Sequence, residues 1–129
     1  MSLAYWCILI AALLPYVWGT IAKSGGQQYD NNDPRGWMAR QTDPRVLRGH
    51  AAHLNAFEAF APFAAAVLMA QAAGVAPERV SLLACAFVGC RLAHGLCYLA
   101  NKGALRSLFW AGGIGCVIAL IAMAALRVA

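Results

Sequence analysis

Four apolar stretches of membrane-spanning length run along this chain, separated by polar breaks of which only one is long. The first covers residues 3–22. At about 1.5 Å per residue, a helix of that length crosses most of the roughly 30 Å hydrocarbon core of a bilayer. The long break, residues 23–43, is rich in Gly, Asn, Asp and Gln and reads as a polar loop. Asp43-Pro44 then announces the second helix. The aspartate can cap free amides, and proline suits the first helical position because its missing N–H costs nothing there. This helix is predicted over 44–73, with Gly74 past its end. That is about 45 Å of helix, so its first turns (Arg45, Arg48, His50) project into the headgroups or beyond. Pro62 lies inside it, as a kink that membrane helices tolerate when neighbours satisfy the freed carbonyl. The third helix begins at Pro77-Glu78 and is predicted over 77–101, with Gly103 as its stop; the fourth is predicted over 104–128. The connections between the last three helices are short, so these are antiparallel neighbours. The expected fold is an all-α integral membrane bundle of four transmembrane helices, one domain over residues 1–129.

Composition removes the soluble alternatives. Of 129 residues, 62% are hydrophobic and 12% charged, with mean hydropathy +0.63. A soluble domain carries about 25% charged residues. Ten Lys and Arg against five Asp and Glu give a formal net charge of +5. The charges sit between apolar runs, so anionic lipid headgroups, not nucleic acid, are the expected partner, and an anionic ligand is compatible. Met1-Ser2-Leu3 carries no positive charge and no small-residue cleavage site ends the first run, which is expected to be a retained helix and not a signal peptide. Lys23, Arg35, Arg40, Arg45, Arg48, Arg91, Lys102 and Arg106 fall on the side of the first and last connections, against Arg79 and Arg127 on the other. That bias predicts cytoplasmic connections there and both termini outside. The compactness of the chain points to a bacterial inner membrane.

Polar residues interrupt the apolar helices in a pattern. On the second helix, Asn55 lies about 20° and Glu58 about 80° around the axis from Arg48, all on one side. Glu58 is about 15 Å along the axis from Arg48, inside the bilayer, where a carboxylate costs several kcal/mol unless it is paired, protonated or in a wet cavity. Pro62 continues that stripe; His50 and His53 point the other way. On the third helix, Arg91, His94, Tyr98 and Asn101 fall within an arc of about 80°. Arg106, Ser107 and Trp110 open the fourth helix, and Lys23 ends the first.

Structural explanations exist for each residue alone. Glu58 could form an ion pair with Arg91, and His94 an interhelical hydrogen bond. Trp37 and Trp110 read as interfacial aromatics, and Lys23, Lys102 and Arg106 as cations that reach to the headgroups. His50 and His53 read as surface or intersubunit groups, without a third ligand for a metal. The five cysteines show no metal-ligand spacing and read as buried thiols. What favours a site is convergence, because two helices present polar stripes at one depth and lipid anchoring does not require that.

The stretches Asp43-Pro44-Arg45-Val46-Leu47-Arg48, His53-Leu54-Asn55-Ala56-Phe57-Glu58 and Pro62-Phe63 resemble the second-helix signature of the MAPEG family, membrane-associated proteins in eicosanoid and glutathione metabolism. Arg91-Leu92-Ala93-His94, Tyr98-Leu99 and Arg106-Ser107 resemble its third helix and the start of its fourth. The resemblance implies a homotrimer of four-helix subunits that binds glutathione between neighbours near the cytoplasmic face. Asn55 and Glu58 would then hold the polar groups of the peptide, with Glu58 near its amino end, and His94 and Tyr98 would face it from the third helix. Arg48 and Arg91 would add charge to the same layer, and Lys23 would meet a glutathione carboxylate. Arg106 and Ser107 match the pair that stabilises or activates the thiol. Leu54 and Ala51 stand where the eicosanoid enzymes carry arginines, and the span from Tyr98 to Arg106 is one residue shorter.

The implied activity is a glutathione-dependent transferase or peroxidase acting on a lipophilic small molecule, with Arg106 stabilising the thiolate. A non-catalytic lipid-binding protein of the same fold is the alternative. A small proton-coupled exporter using Glu58 is a third reading, disfavoured because the polar residues cluster toward one face and not at the midplane.

Overall fold

The computed structural model describes all residues, 1–129. It is entirely helical: α1 (Ser2–Lys23), α2 (Pro34–Ala39), α3 (Pro44–Ala72), α4 (Pro77–Leu99) and α5 (Gly103–Val128). The four long helices are each long and apolar enough to cross a membrane. At most 39% of any one span is buried within the chain. The remaining apolar surface therefore faces lipid or further copies of the protein, as expected where the surrounding solvent is itself hydrocarbon.

The ends of these helices follow from local chemistry. Asp43 accepts a hydrogen bond from the Arg45 amide at 2.8 Å and so caps α3. Gly74 adopts a positive φ of 70° just past its end, where a side chain would be strained. Two expectations need correction here. The loop 23–43 contains α2, capped by Asp33 through the Gly36 amide, with Pro34 in its first turn. The chain also reverses after α4 at Asn101, whose φ is 56°, so α4 stops at Leu99 and Gly103 opens α5 where it was expected to end α4. Asparagine tolerates this left-handed conformation better than most residues.

The helices α3 and α4 form the centre. Both touch α1 on one side and α5 on the other, while α1 and α5 do not touch each other. Small residues permit close packing between α1 and its neighbours. A Cβ on Gly49 would lie 2.9 Å from the Ala22 Cβ, and one on Gly95 would collide with the Trp18 ring. The larger apolar core lies toward the end that carries the termini and the Gly74 turn. There Phe63 and Phe87 stack with ring centroids 3.9 Å apart, among Ala4, Ala66, Val67, Ala70, Val80, Ala84 and Leu120. A smaller cluster, Leu14, Trp18, Ala52 and Ala56, underlies the other end, which holds α2 and the α4–α5 turn. The first is called below the terminal end and the second the basic end.

Candidate functional site

Three helices bring polar side chains to one place at the basic end. Asn55 of α3, His94 and Tyr98 of α4, and Arg106, Ser107 and Trp110 of α5 line a cleft of about 230 Å³. A neighbouring cleft of about 210 Å³ shares Asn55 and Trp110 and adds Glu58, Pro62, Phe87, Arg91 and Gly113. Asn55 thus joins the two. The fourth-helix residues reach the site because α4 and α5 are joined by a tight turn at Asn101, which lays the first turn of α5 against the last turns of α4.

Arg91 is the best-buried charge in the molecule, 4% exposed. Its Nη2 donates to the Asn55 side-chain oxygen at 2.7 Å and to the Asn55 carbonyl at 3.3 Å. The expected Glu58–Arg91 ion pair does not form, since the only ion pair within the chain is Arg40–Asp33. Asn55 stands one helical turn before Glu58 and intercepts the guanidinium. Glu58 is exposed on the outer face of α3, with Asn55 Nδ2 at 3.5 Å, a long contact. Pro62, four residues on, has no N–H to give the Glu58 backbone carbonyl, which therefore lacks its ordinary helical partner.

Above this pair, the Arg106 guanidinium lies 4.4 Å from the centre of the Tyr98 ring. A cation over an aromatic face is attracted by about 0.5–2 kcal/mol, which holds the charge beside Ser107 and the cleft. His94 packs edge-on against Tyr98, with ring centroids 5.5 Å apart. It is 2% exposed, and its Nδ1 has no hydrogen-bond partner, so the interhelical bond expected of it is not made at that nitrogen. The Nε atoms of Arg91 and Arg48 are also buried and unpartnered. Arg48 lies two turns before Asn55 on α3 and lines neither cleft.

Lys23 is placed elsewhere. It ends α1, on the far side of the central pair from α5, with its Nζ 4.4 Å from the Tyr29 ring centre. There it borders a wider cleft, about 820 Å³, between α1, α2 and the start of α3, with Tyr16, Arg35, Trp37 and His50 among its walls. Within one chain, Lys23 and Arg106 therefore line different clefts. Two further expectations change on this side. Trp37 is 3% exposed and donates its indole N–H to the Gln28 carbonyl at 2.8 Å, so it anchors the loop and is not an interfacial aromatic. His53 points away from the Asn55 stripe, as its helical angle requires, but it meets α1, with Nδ1 2.6 Å from the Pro15 carbonyl. Gly19 makes room for that ring, since a Cβ there would lie 2.9 Å from Nδ1. Nothing in the sequence of α3 alone pointed to this contact; the proline and glycine of α1 were its only signals.

A family model, that of the MAPEG family, matches residues 3–126. The chain belongs to the MAPEG family. No curated protein and no solved structure matches it. The MAPEG family includes glutathione transferases and peroxidases as well as non-catalytic members, and its enzymes generally use glutathione. Membership over nearly the whole chain, with four apolar helices, makes this an integral multi-pass membrane protein in contact with lipid.

The residues fit a glutathione-like ligand on their own chemistry. Such a tripeptide has two carboxylates, one ammonium and a thiol. Arg91 and Arg106 supply cationic donors, and Glu58 is the one carboxylate in the two clefts. Unpartnered buried donors, such as Arg91 Nε, cost about 1–3 kcal/mol each, so this layer is not built for stability alone.

Proposed function

We propose that this MAPEG protein is a glutathione-dependent transferase or peroxidase acting on a lipophilic electrophile, assembled as a homotrimer with its basic end in the cytoplasm. The observation that carries the reading is the meeting of Asn55, His94, Tyr98, Arg106 and Ser107 around one cleft, with Glu58 and Arg91 next to it. Arg106 is the thiolate partner. A free thiol with pKa near 8.5 is mostly protonated at neutral pH, and an adjacent guanidinium favours the ionised form. The Tyr98 ring holds that guanidinium in place before any ligand arrives, and Ser107 adds a hydroxyl donor on the same turn. Asn55, Arg91 and Glu58 are assigned to the peptide's polar groups.

Conjugation then needs only that the thiolate sulfur form a bond to an electrophilic carbon while the leaving group departs or the adjacent carbon takes a proton. Substrate reaches the cleft from the bilayer, past Trp110, which is half exposed. Assembly places the Lys23 side of one copy beside the Arg106 side of the next, so that Lys23 contributes charge to a neighbour's cleft. The exposed, unpaired Glu58 supports such an arrangement, because a carboxylate within a span is costly against lipid.

Titration of detergent-purified protein with glutathione by calorimetry tests the reading. Saturable heat is expected for the wild type, weakened in both Arg106→Ala and Glu58→Gln. No binding at millimolar glutathione would overturn it. Leu54 and Ala51, where the eicosanoid enzymes carry arginines, would then mark a lost thiol site, leaving a lipid-binding member of the family.

A further inference from the structure

The terminal end holds a pair of thiols that the proposed glutathione chemistry does not use. Cys7 of α1 and Cys85 of α4 face each other with their sulfurs 3.7 Å apart. All five cysteines are free thiols, and this is the one pair in sulfur–sulfur contact. The approach is built into the helix interface. Ala4 and Ala11 flank Cys7, and Ala84 precedes Cys85; all three are buried, and small residues bring helix backbones close. The same two helices meet again further along, where Trp18 fills the space left by Gly95. Cys7 to Trp18 and Cys85 to Gly95 are nearly equal spans, so α1 and α4 run parallel and in register past both contacts. The two sulfurs also differ in access, because Cys85 is exposed on the outer surface of the bundle while Cys7 is 4% exposed.

We propose that Cys7 and Cys85 form a redox modification site within the membrane, at which a lipid hydroperoxide closes a disulfide between α1 and α4. Cys85 meets the oxidant. Its sulfur takes the outer peroxide oxygen, the O–O bond breaks, and the lipid leaves as its alcohol, with Cys85 now a sulfenic acid. The Cys7 sulfur then displaces that oxygen as water, forming the S–S bond. The peroxide accepts two electrons, each sulfur gives up one, and the two thiol protons leave in the alcohol and the water. The assignment follows the contact and the access, since Cys85 is the exposed member of the pair and Cys7 is the thiol in contact with it. The bond would staple α1 to α4, the helix that carries His94 and Tyr98, without touching the Arg106 cleft.

The test uses protein reconstituted in nanodiscs of saturated phosphatidylcholine, treated with cumene hydroperoxide, alkylated and digested without reductant. A peptide linking Cys7 to Cys85 is expected, with Cys90, Cys97 and Cys116 alkylated. In Cys7→Ser, Cys85 should accumulate as a sulfenic acid trapped by dimedone, and a Cys90→Ala, Cys116→Ala variant should keep the link. Alkylation of both Cys7 and Cys85 after treatment, or a disulfide joining other cysteines or two chains, would overturn the proposal. Closure by diamide but not by the hydroperoxide would overturn the assignment of the oxidant.

Discussion

The two ends of the bundle are built from the same helices but from different materials. Toward the terminal end, α3 and α4 meet through stacked Phe63 and Phe87 with alanines and valines around them. Toward the basic end, about two turns away on α3 and one turn away on α4, they meet through Arg91 and Asn55. The first contact is apolar and has no unmet polar atom. The second leaves Arg91 Nε and His94 Nδ1 buried without partners. A bundle needing only to persist in lipid would be built of the first material throughout. The difference shows that one end of the α3–α4 pair holds the fold while the other carries polar groups at a cost in stability, as sites commonly do.

The largest expected contrast is in activity. Arg106→Ala should lower thiol-dependent turnover about 100- to 1,000-fold, the range for removing one preorganised charge-stabilising group. The thermal midpoint should stay close to wild type, because Arg106 is half-buried at the start of α5 and is held by Tyr98 alone. A parallel loss of thermal stability would place Arg106 on the structural side of the comparison.

The converse variant is Phe63→Ala at the terminal end. In lipid the transfer contribution to helix packing is small, but the void remains, and about 2–3 kcal/mol of stability is expected to be lost. Denaturation of the detergent-solubilised protein by SDS measures it. Glutathione affinity should change little, since Phe63 lines neither of the clefts that hold Asn55. Asn55→Ala mixes the two effects. It strips the Arg91 guanidinium of both the side-chain oxygen and part of its orientation, for about 1.5–3 kcal/mol in stability, the range for a hydrogen bond to a charged group. Asn55→Asp should restore stability by supplying a carboxylate oxygen, yet weaken binding of an anionic tripeptide. Recovery of both together would mean that Asn55 is only a support for Arg91.

The four spans could be read from the chain because they depend on length and composition. Asp43-Pro44, Pro77-Glu78 and about twenty apolar residues at a time leave few other solutions in a bilayer. The same reasoning contained α2, since Asp33-Pro34 repeats the signal of Asp43-Pro44, but a six-residue helix has no apolar period to draw attention to it. The polar stripes also followed from helical angles. Which side chain meets which across helices did not. A helical wheel sets Asn55 and Glu58 on the same side of α3, and only packing decides that Arg91 stops at Asn55. Nor does chain order reveal that α1 and α5 lie on opposite sides of the central pair, which separates Lys23 from Arg106.

That separation supplies the smallest and most specific expectation. Lys23 sits beside Tyr29 at the edge of the α1 cleft, and its charge is exposed, so its own contribution to glutathione affinity should be modest, about 1 kcal/mol or less. Lys23→Ala is then expected to raise the glutathione dissociation constant several-fold, read by calorimetry, while leaving the rate at saturating glutathione nearly unchanged. If the site lies within one chain, mixing Lys23→Ala with Arg106→Ala subunits gives only the average of the two variants. If copies meet head to tail around a ring, each Lys23 serves the next subunit's Arg106, and in a random equal mixture about a quarter of the sites regain both residues. Those sites would bind glutathione at wild-type affinity and turn over at the wild-type rate. At glutathione concentrations below the dissociation constant of the Lys23→Ala protein, the mixed assembly should therefore exceed the average of its parents. Equality with that average would confine Lys23 to its own α1 cleft and leave the thiol site to α3, α4 and α5 of a single copy.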